Sequence, residues 1–145
     1  MMEQAFLGDL ESYGIRTGSY NLAVWQGEAA DFRDCLDSLF RLTPPTALFL
    51  DEPMLFLAAR QHLAGKGVQA PRNVSLICDD PDPYFGIFAP SISHISWKPE
   101  ELARRAVRWV NRIACGHDDR RQTFTKATFV DGGTIGPVPV SQGRK

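Results

Sequence analysis

In the stretch Leu76 to Gly86, LICDDPDPYFG, an apolar run ends in three carboxylates, Asp79, Asp80 and Asp82, with Pro81, Pro83, Tyr84 and Phe85 among them. Carboxylates beyond the end of a strand support three kinds of chemistry. They can hold a divalent cation through their oxygens. They can accept hydrogen bonds from a ligand's hydroxyl or amine groups. They can also shape a turn, for which Asp and Pro are ordinary residues. Two other apolar runs end in a similar way. Asp51 and Glu52 close Thr46–Leu50, and Trp25 closes Asn21–Trp25. If the three runs are parallel strands, their carboxyl ends share one side of a sheet, where ligands gather in open α/β folds. The expected ligand-binding rim is then Trp25, Asp51, Glu52, Asp80, Asp82 and Tyr84, with Asp79 beside them. Carboxylates would orient hydroxyl groups, and aromatic faces would cover the C–H surface of a sugar. No catalytic residue and no metal site is assigned.

Other chemistries find little support. The chain has no G-x-G-x-x-G and no G-x-x-x-x-G-K-[ST], so no nucleotide cofactor is implied. It has no G-x-S-x-G elbow. His62, His94 and His117 do not stand at metal-ligand spacing from one another. Cys35, Cys78 and Cys115 are far apart and lack C-x-x-C spacing, so three buried, reduced thiols are expected. The rival to a binding rim is a doubly wound hydrolase or transferase holding Mg²⁺ on the Asp79–Asp82 loop, but no motif places a nucleophile for it.

The elements that must position the rim follow from periodicity. Phe6, Leu10 and Tyr13 fall at helical spacing before Gly14. Phe32, Cys35, Leu36, Leu39 and Phe40 repeat at i, i+3, i+4, i+7 and i+8, which predicts a helix over about 28–41. Pro53 sits where a first helical turn tolerates proline, and the helix it opens closes at Gly65 or Gly67. Leu102, Ala106, Trp109, Val110 and Ile113 line one face of a helix over about 99–115, with Arg104, Arg108 and Arg112 on another. Strands are expected at Asn21–Trp25, Thr46–Leu50, Val74–Cys78, Ser93–Trp97 and Gln122–Val130. Alternation of this kind predicts an α/β fold, a mostly parallel sheet flanked by helices.

Composition sets wide bounds. A chain of 145 residues, 43% hydrophobic and 23% charged, is that of an ordinary globular domain. It has no membrane-spanning apolar run and no signal peptide at its start, so a cytoplasmic protein without a membrane partner is expected. The net charge of −1 conceals an asymmetry. Residues 1–59 carry nine acids and three bases, whereas residues 60–145 carry eight acids and thirteen bases.

From Phe6 to Pro139 the order of elements resembles the effector-binding region of LacI/GalR-type transcription regulators, which have a type I periplasmic-binding-protein fold. Pro45–Phe49, Gly67–Pro71, Val74–Ile77, Asp80 and Pro90–Ile95 match the family's P-T-A-I-F, G-[LV]-x-[VI]-P, S-[VL]-[VI]-G-F-D-D and P-x-L-T-T-[VI] in order and spacing. RRQTFTKATFVDGGTIGPVP looks like its closing strand and tail. Several positions depart from the pattern, among them Met2, where the family often has an arginine early in its first helix. Glu52-Pro53 replaces a helix-opening Asn-Asp, Cys78-Asp79-Asp80-Pro81 replaces Gly-Phe-Asp-Asp, and Trp97 stands for a glutamine. These changes leave a different sugar, a sugar derivative or another small polar-aromatic ligand open. The resemblance implies a non-enzymatic sensor of a small, carbohydrate-like effector. DNA would be reached only through a helix-turn-helix domain absent from this chain. Residues 1–140 would form one effector-binding lobe and 141–145 a tail, with about 93–116 crossing to a second lobe. Without that lobe, the apolar face of the 99–115 helix is expected to fold back on its own sheet or to pack on a second copy, making a homodimer.

Overall fold

The structure is a computed structural model that describes residues 2–42 and 44–138. The expected tail, 141–145, lies outside the described residues. The chain forms two compact units, the first reaching to Pro45 and the second beginning at Thr46.

The first unit holds two helices, α1 (Met2–Ser12) and α2 (Ala29–Leu42), the latter close to its expected bounds. Gly14 takes the left-handed conformation (φ 75°) that turns the chain out of α1. Leu36 is the buried residue of the α2 stripe. The strand expected at Asn21–Trp25 does not form. A 3₁₀ turn occupies Ser19–Asn21, with Asn21 Oδ1 accepting from the Gly18 N–H at 2.8 Å, and the chain beyond is irregular. The apolar run in NLAVW has a strand's composition, but a strand also needs a neighbour for its backbone groups, and among the described residues none pairs with this segment.

The second unit is a four-stranded sheet in the order β1 (Ala47–Leu50), β2 (Ser75–Cys78), β3 (His94–Trp97) and β4 (Ala127–Val130). The pairs β1–β2 and β2–β3 are parallel, and β3–β4 is antiparallel. The mostly parallel α/β sheet is therefore the architecture that the alternating elements predict. β4 is shorter than its apolar pattern, because residues 122–126 lie outside the register with β3.

Helix α3 (Pro53–Gly65) connects β1 to β2. Extended Glu52 precedes it, Pro53 opens it, and Gly67 (φ 80°) turns the chain out of it. Its Phe56, Ala59 and Leu63 recur along one face and are buried, as are Val74, Leu76 and Cys78 on and before β2 and Ile92 before β3. Burial of side chains of this size contributes about 1.5–3 kcal/mol each, and this cluster is the core that holds the strand ends in place.

A second fastening is polar. The chain after β4 returns beside β2, where Thr134 is fully buried. Its carbonyl accepts from the Leu76 N–H at 3.0 Å, and its hydroxyl donates to the Leu76 carbonyl at 2.7 Å while accepting from the Ser93 N–H at 3.0 Å. Ser93 Oγ in turn accepts from the N–H groups of Gly132 and Thr134. Gly132 lies so close to this join that a Cβ there would stand 2.2 Å from the Ile92 carbonyl carbon.

Helix α4 (Pro99–Ala114) forms as expected, but it does not fold back on the sheet, and none of its residues is buried. Its side-chain hydrogen bonds run instead to the segment that follows it. Arg105 donates to the Phe124 carbonyl at 2.7 Å and Trp109 Nε1 to the Asp119 carbonyl at 2.8 Å. Arg121 grips both oxygens of Asp119 at 2.8 Å, and Arg112 approaches at 3.2 Å. These cations hold the Asp119 carboxyl well below the usual carboxylate range.

Candidate functional site

Parallel pairing of β1, β2 and β3 puts their carboxyl ends on one edge of the second unit. Asp51 and Glu52 leave β1, Asp79 and Asp80 leave β2, and Trp97 ends β3. The Asp79 N–H donates to the Leu50 carbonyl at 2.8 Å, which draws the first two strand ends together. Because Cys78 is in register with His94, the end of β3 runs on beside the Asp79–Asp80 turn. Trp97 Nε1 donates to Asp80 Oδ1 at 3.0 Å.

The acidic loop is anchored from below. Phe85, in the 3₁₀ turn Phe85–Ile87, is buried against Phe56 (centroids 6.0 Å apart) and His94 (5.1 Å). Arg60 of α3 lays its guanidinium over the Phe88 ring at 5.5 Å, a cation–π contact at a site where its Nη1 has no hydrogen-bond partner. Asp82 has a structural role. Its carboxylate accepts from the Tyr84 N–H at 2.8 Å and its carbonyl from the Phe85 N–H at 3.1 Å, closing the turn. His94 directs Nδ1 to the Ile92 carbonyl at 2.8 Å and packs on Phe85, so its ring belongs to the support of the loop.

The electrostatics show which carboxylates share the mouth. Burial raises the Asp79 pKa above its ordinary value, and the neighbouring charges of Asp80 and Asp51 raise it further. Burial likewise pushes up the Cys78 thiol, a backbone hydrogen bond from Asp80 partly offsets this, and the charges of Asp80, Asp79 and Asp51 add to the rise. A fully buried thiol with a raised pKa is a poor nucleophile. Of the three expected buried thiols, Cys78 is buried, Cys35 is half-buried and Cys115 is exposed at the end of α4.

Of the six residues expected at the rim, Asp51, Glu52, Asp80, Asp82 and Tyr84 belong to the second unit. The first three stand at the strand ends, Asp82 is turned into its own loop, and Tyr84 projects with 66% of its surface exposed. Trp25 belongs to the first unit. It meets Phe32 edge-on at 5.3 Å and lines a groove of about 490 Å³ along α2. Asp79 and Trp97 complete the mouth. The signal for Asp79 was its adjacency to Asp80, but nothing in the sequence indicates that the Trp97 indole reaches back to Asp80. Among the described residues no three of His, Cys, Asp and Glu converge as metal ligands. The arrangement offers acceptors for hydroxyl or amine donors beside an indole and a phenol.

The family profile of the periplasmic binding protein-like domain matches residues 1–135. No curated protein sequence matches the chain significantly. Among solved structures, the fold is similar to that of a LacI family transcriptional regulator from Bifidobacterium animalis subsp. lactis. The identity is 20% and the TM-score 0.78, over 94% of this chain and 49% of that one. A LacI family regulator from Enterococcus faecium with bound ribose matches at 18% identity and TM-score 0.73, over 90% of this chain and 49% of that one. One from Arthrobacter sp. in complex with lactose matches at 20% identity and TM-score 0.72, over 92% and 50%. The chain thus spans about half the length of the structures it matches, and at these identities the likeness establishes the fold.

Proposed function

The chain belongs to the periplasmic binding protein-like domain family, and on that premise we propose that it is a ligand-sensing part of a cytoplasmic LacI-type transcription regulator. The effector is a small, sugar-like molecule, bound at the mouth formed by Asp51, Glu52, Asp79, Asp80, Tyr84 and Trp97 of the second unit. Asp82 acts by shaping the loop that presents Tyr84. The observation that carries this reading is the convergence of three parallel strand ends on one acidic and aromatic edge, in a fold shared with regulators solved with ribose and with lactose.

Mechanistically, the carboxylates orient hydroxyl groups by accepting their hydrogen bonds, and the aromatic faces cover the apolar side of the ring. The site is non-catalytic: Cys78 is buried, Asp80 is engaged by Trp97, and Asp82 caps its own turn. In the whole regulator β3 leads α4 toward a second lobe, and ligand held between lobes shifts a two-state equilibrium felt by a DNA-binding domain. Couplings of that kind are typically about 1–3 kcal/mol. No helix among the described residues is long and apolar enough to cross a membrane.

The test is a thermal-shift series with ribose, lactose and a panel of related mono- and disaccharides. A ligand that raises the midpoint of the native chain but not of Asp80→Asn supports the site. A ligand-induced shift equal in both proteins, or no shift across the panel at millimolar ligand, refutes it.

A further inference from the structure

The loop that presents Tyr84 is seated on α3 by two matched spacings. Phe56 and Arg60 stand one turn apart on α3, about 6 Å along its axis. Phe85 and Phe88 stand three residues apart across the 3₁₀ turn, where a rise of about 2 Å per residue gives the same distance. Two rungs join the pairs. The Phe85 ring lies 6.0 Å from that of Phe56, and the Arg60 guanidinium lies 5.5 Å from the centre of the Phe88 ring.

The rungs are unequal. Phe56 and Phe85 are buried, so their contact belongs to the core. Arg60 and Phe88 are half-buried. Arg60 Nη1 is shut away from solvent and has no hydrogen-bond partner among the described residues, and the electron-rich face of the Phe88 ring is what meets the cation.

This grip reaches Tyr84 through the backbone. The Ile87 N–H donates to the Tyr84 carbonyl at 3.0 Å, and the N–H groups of Tyr84 and Phe85 donate to Asp82 at 2.8 and 3.1 Å. Residues 82–88 are thus tied into one piece with two feet on α3. With the Phe88 foot released, the piece turns about Phe85, and Tyr84 moves at the mouth. Arg60 itself stands eight residues after Glu52, about 12 Å along the helix from the mouth, so it acts on a ligand only through this loop.

We infer that Arg60 is a positioning residue of the ligand site: its cation, laid on Phe88, fixes where Tyr84 stands. The assignment rests on the strand-end mouth being that site.

Two substitutions separate the charge from the packing. Arg60→Met keeps most of the stem and removes the cation, whereas Arg60→Lys keeps a cation without its planar face. Residue-resolved hydrogen exchange of the ligand-free chain is the first readout. Arg60→Met should speed exchange of the Tyr84, Phe85 and Ile87 amides about fivefold, the size expected of one lost cation–π contact. The Leu76 and Cys78 amides, bonded to Thr134 and Ser93, should be unchanged. The second readout is the fluorine resonance of Tyr84 in chain labelled with 3-fluorotyrosine, assigned by its loss in Tyr84→Phe. It should move in Arg60→Met and return at least partway in Arg60→Lys. A methionine variant that matches the native chain in both readouts overturns the inference. So does equal acceleration of the Leu76 and Cys78 amides, which marks a general loss of stability, or a lysine variant that behaves as the methionine one does. Because both readouts are free of ligand, a sugar panel without effect counts against the mouth and not against this rung.

Discussion

Replacing Thr134 by valine isolates the polar fastening that holds the strand ends together. Valine keeps the shape of threonine and removes only the hydroxyl. That hydroxyl donates to the Leu76 carbonyl at 2.7 Å and accepts from the Ser93 N–H at 3.0 Å, in a site with no solvent exposure. The substitution therefore orphans one buried donor and one buried acceptor. Each orphan costs about 1–3 kcal/mol, the carbonyl less than the N–H because it has a second lone pair. The expected loss is about 2–4 kcal/mol. For a chain of this size a loss of 1 kcal/mol lowers the thermal midpoint by about 2–4 °C, so a fall of roughly 5–15 °C follows. Thr134→Ser, which keeps the hydroxyl and deletes one methyl, should lose less than half as much. Urea unfolding followed by far-UV circular dichroism measures both, with an unchanged slope showing that the same surface unfolds. A valine variant within about 0.5 kcal/mol of the native chain, or a serine variant as unstable as the valine one, would refute the reasoning.

Three further outcomes are expected. Asp79→Asn should stabilise the protein at neutral pH. The raised pKa means that the folded state holds the proton to higher pH than the unfolded chain, so stability falls as pH rises through the interval between the two values. The advantage of the asparagine variant should shrink as pH is lowered through the carboxylate range, as urea titrations at a series of pH values will show. Trp97→Phe removes the donor to Asp80 and should cost about 1 kcal/mol in urea unfolding. Gly132→Ala places a methyl against the Ile92 backbone, which cannot yield as a flexible side chain can. A loss of about 3 kcal/mol or more is expected by calorimetry.

Much of the fold is legible in residue order. The repeats in α2, α3 and α4 match the bounds of those helices closely, Pro53 marks a helix start, and β1, β2 and β3 fall inside their apolar runs. Carboxylates directly after two of those runs point to the strand-end mouth. The helix bounds were readable because a helix satisfies its backbone within itself, so its period and its stop signals are local. The Asn21–Trp25 segment is apolar enough for a strand but has no neighbour to pair with among the described residues, and pairing is a property of two segments.

The sequence by itself determined which segments are helical, which are apolar enough to lie in the sheet, and where acidic residues stand along the chain. Only the tertiary structure decided what those residues do. It turned Asp82 into its own loop, bound Asp80 to a tryptophan 17 positions away, made Thr134 the acceptor and donor that close β2, and left the apolar face of α4 uncovered. The physical reason is one of range. Hydrophobic period and turn chemistry act over a few residues, whereas the partner of a buried polar group, or the cover of an apolar face, is set by segments that meet only after the chain has folded.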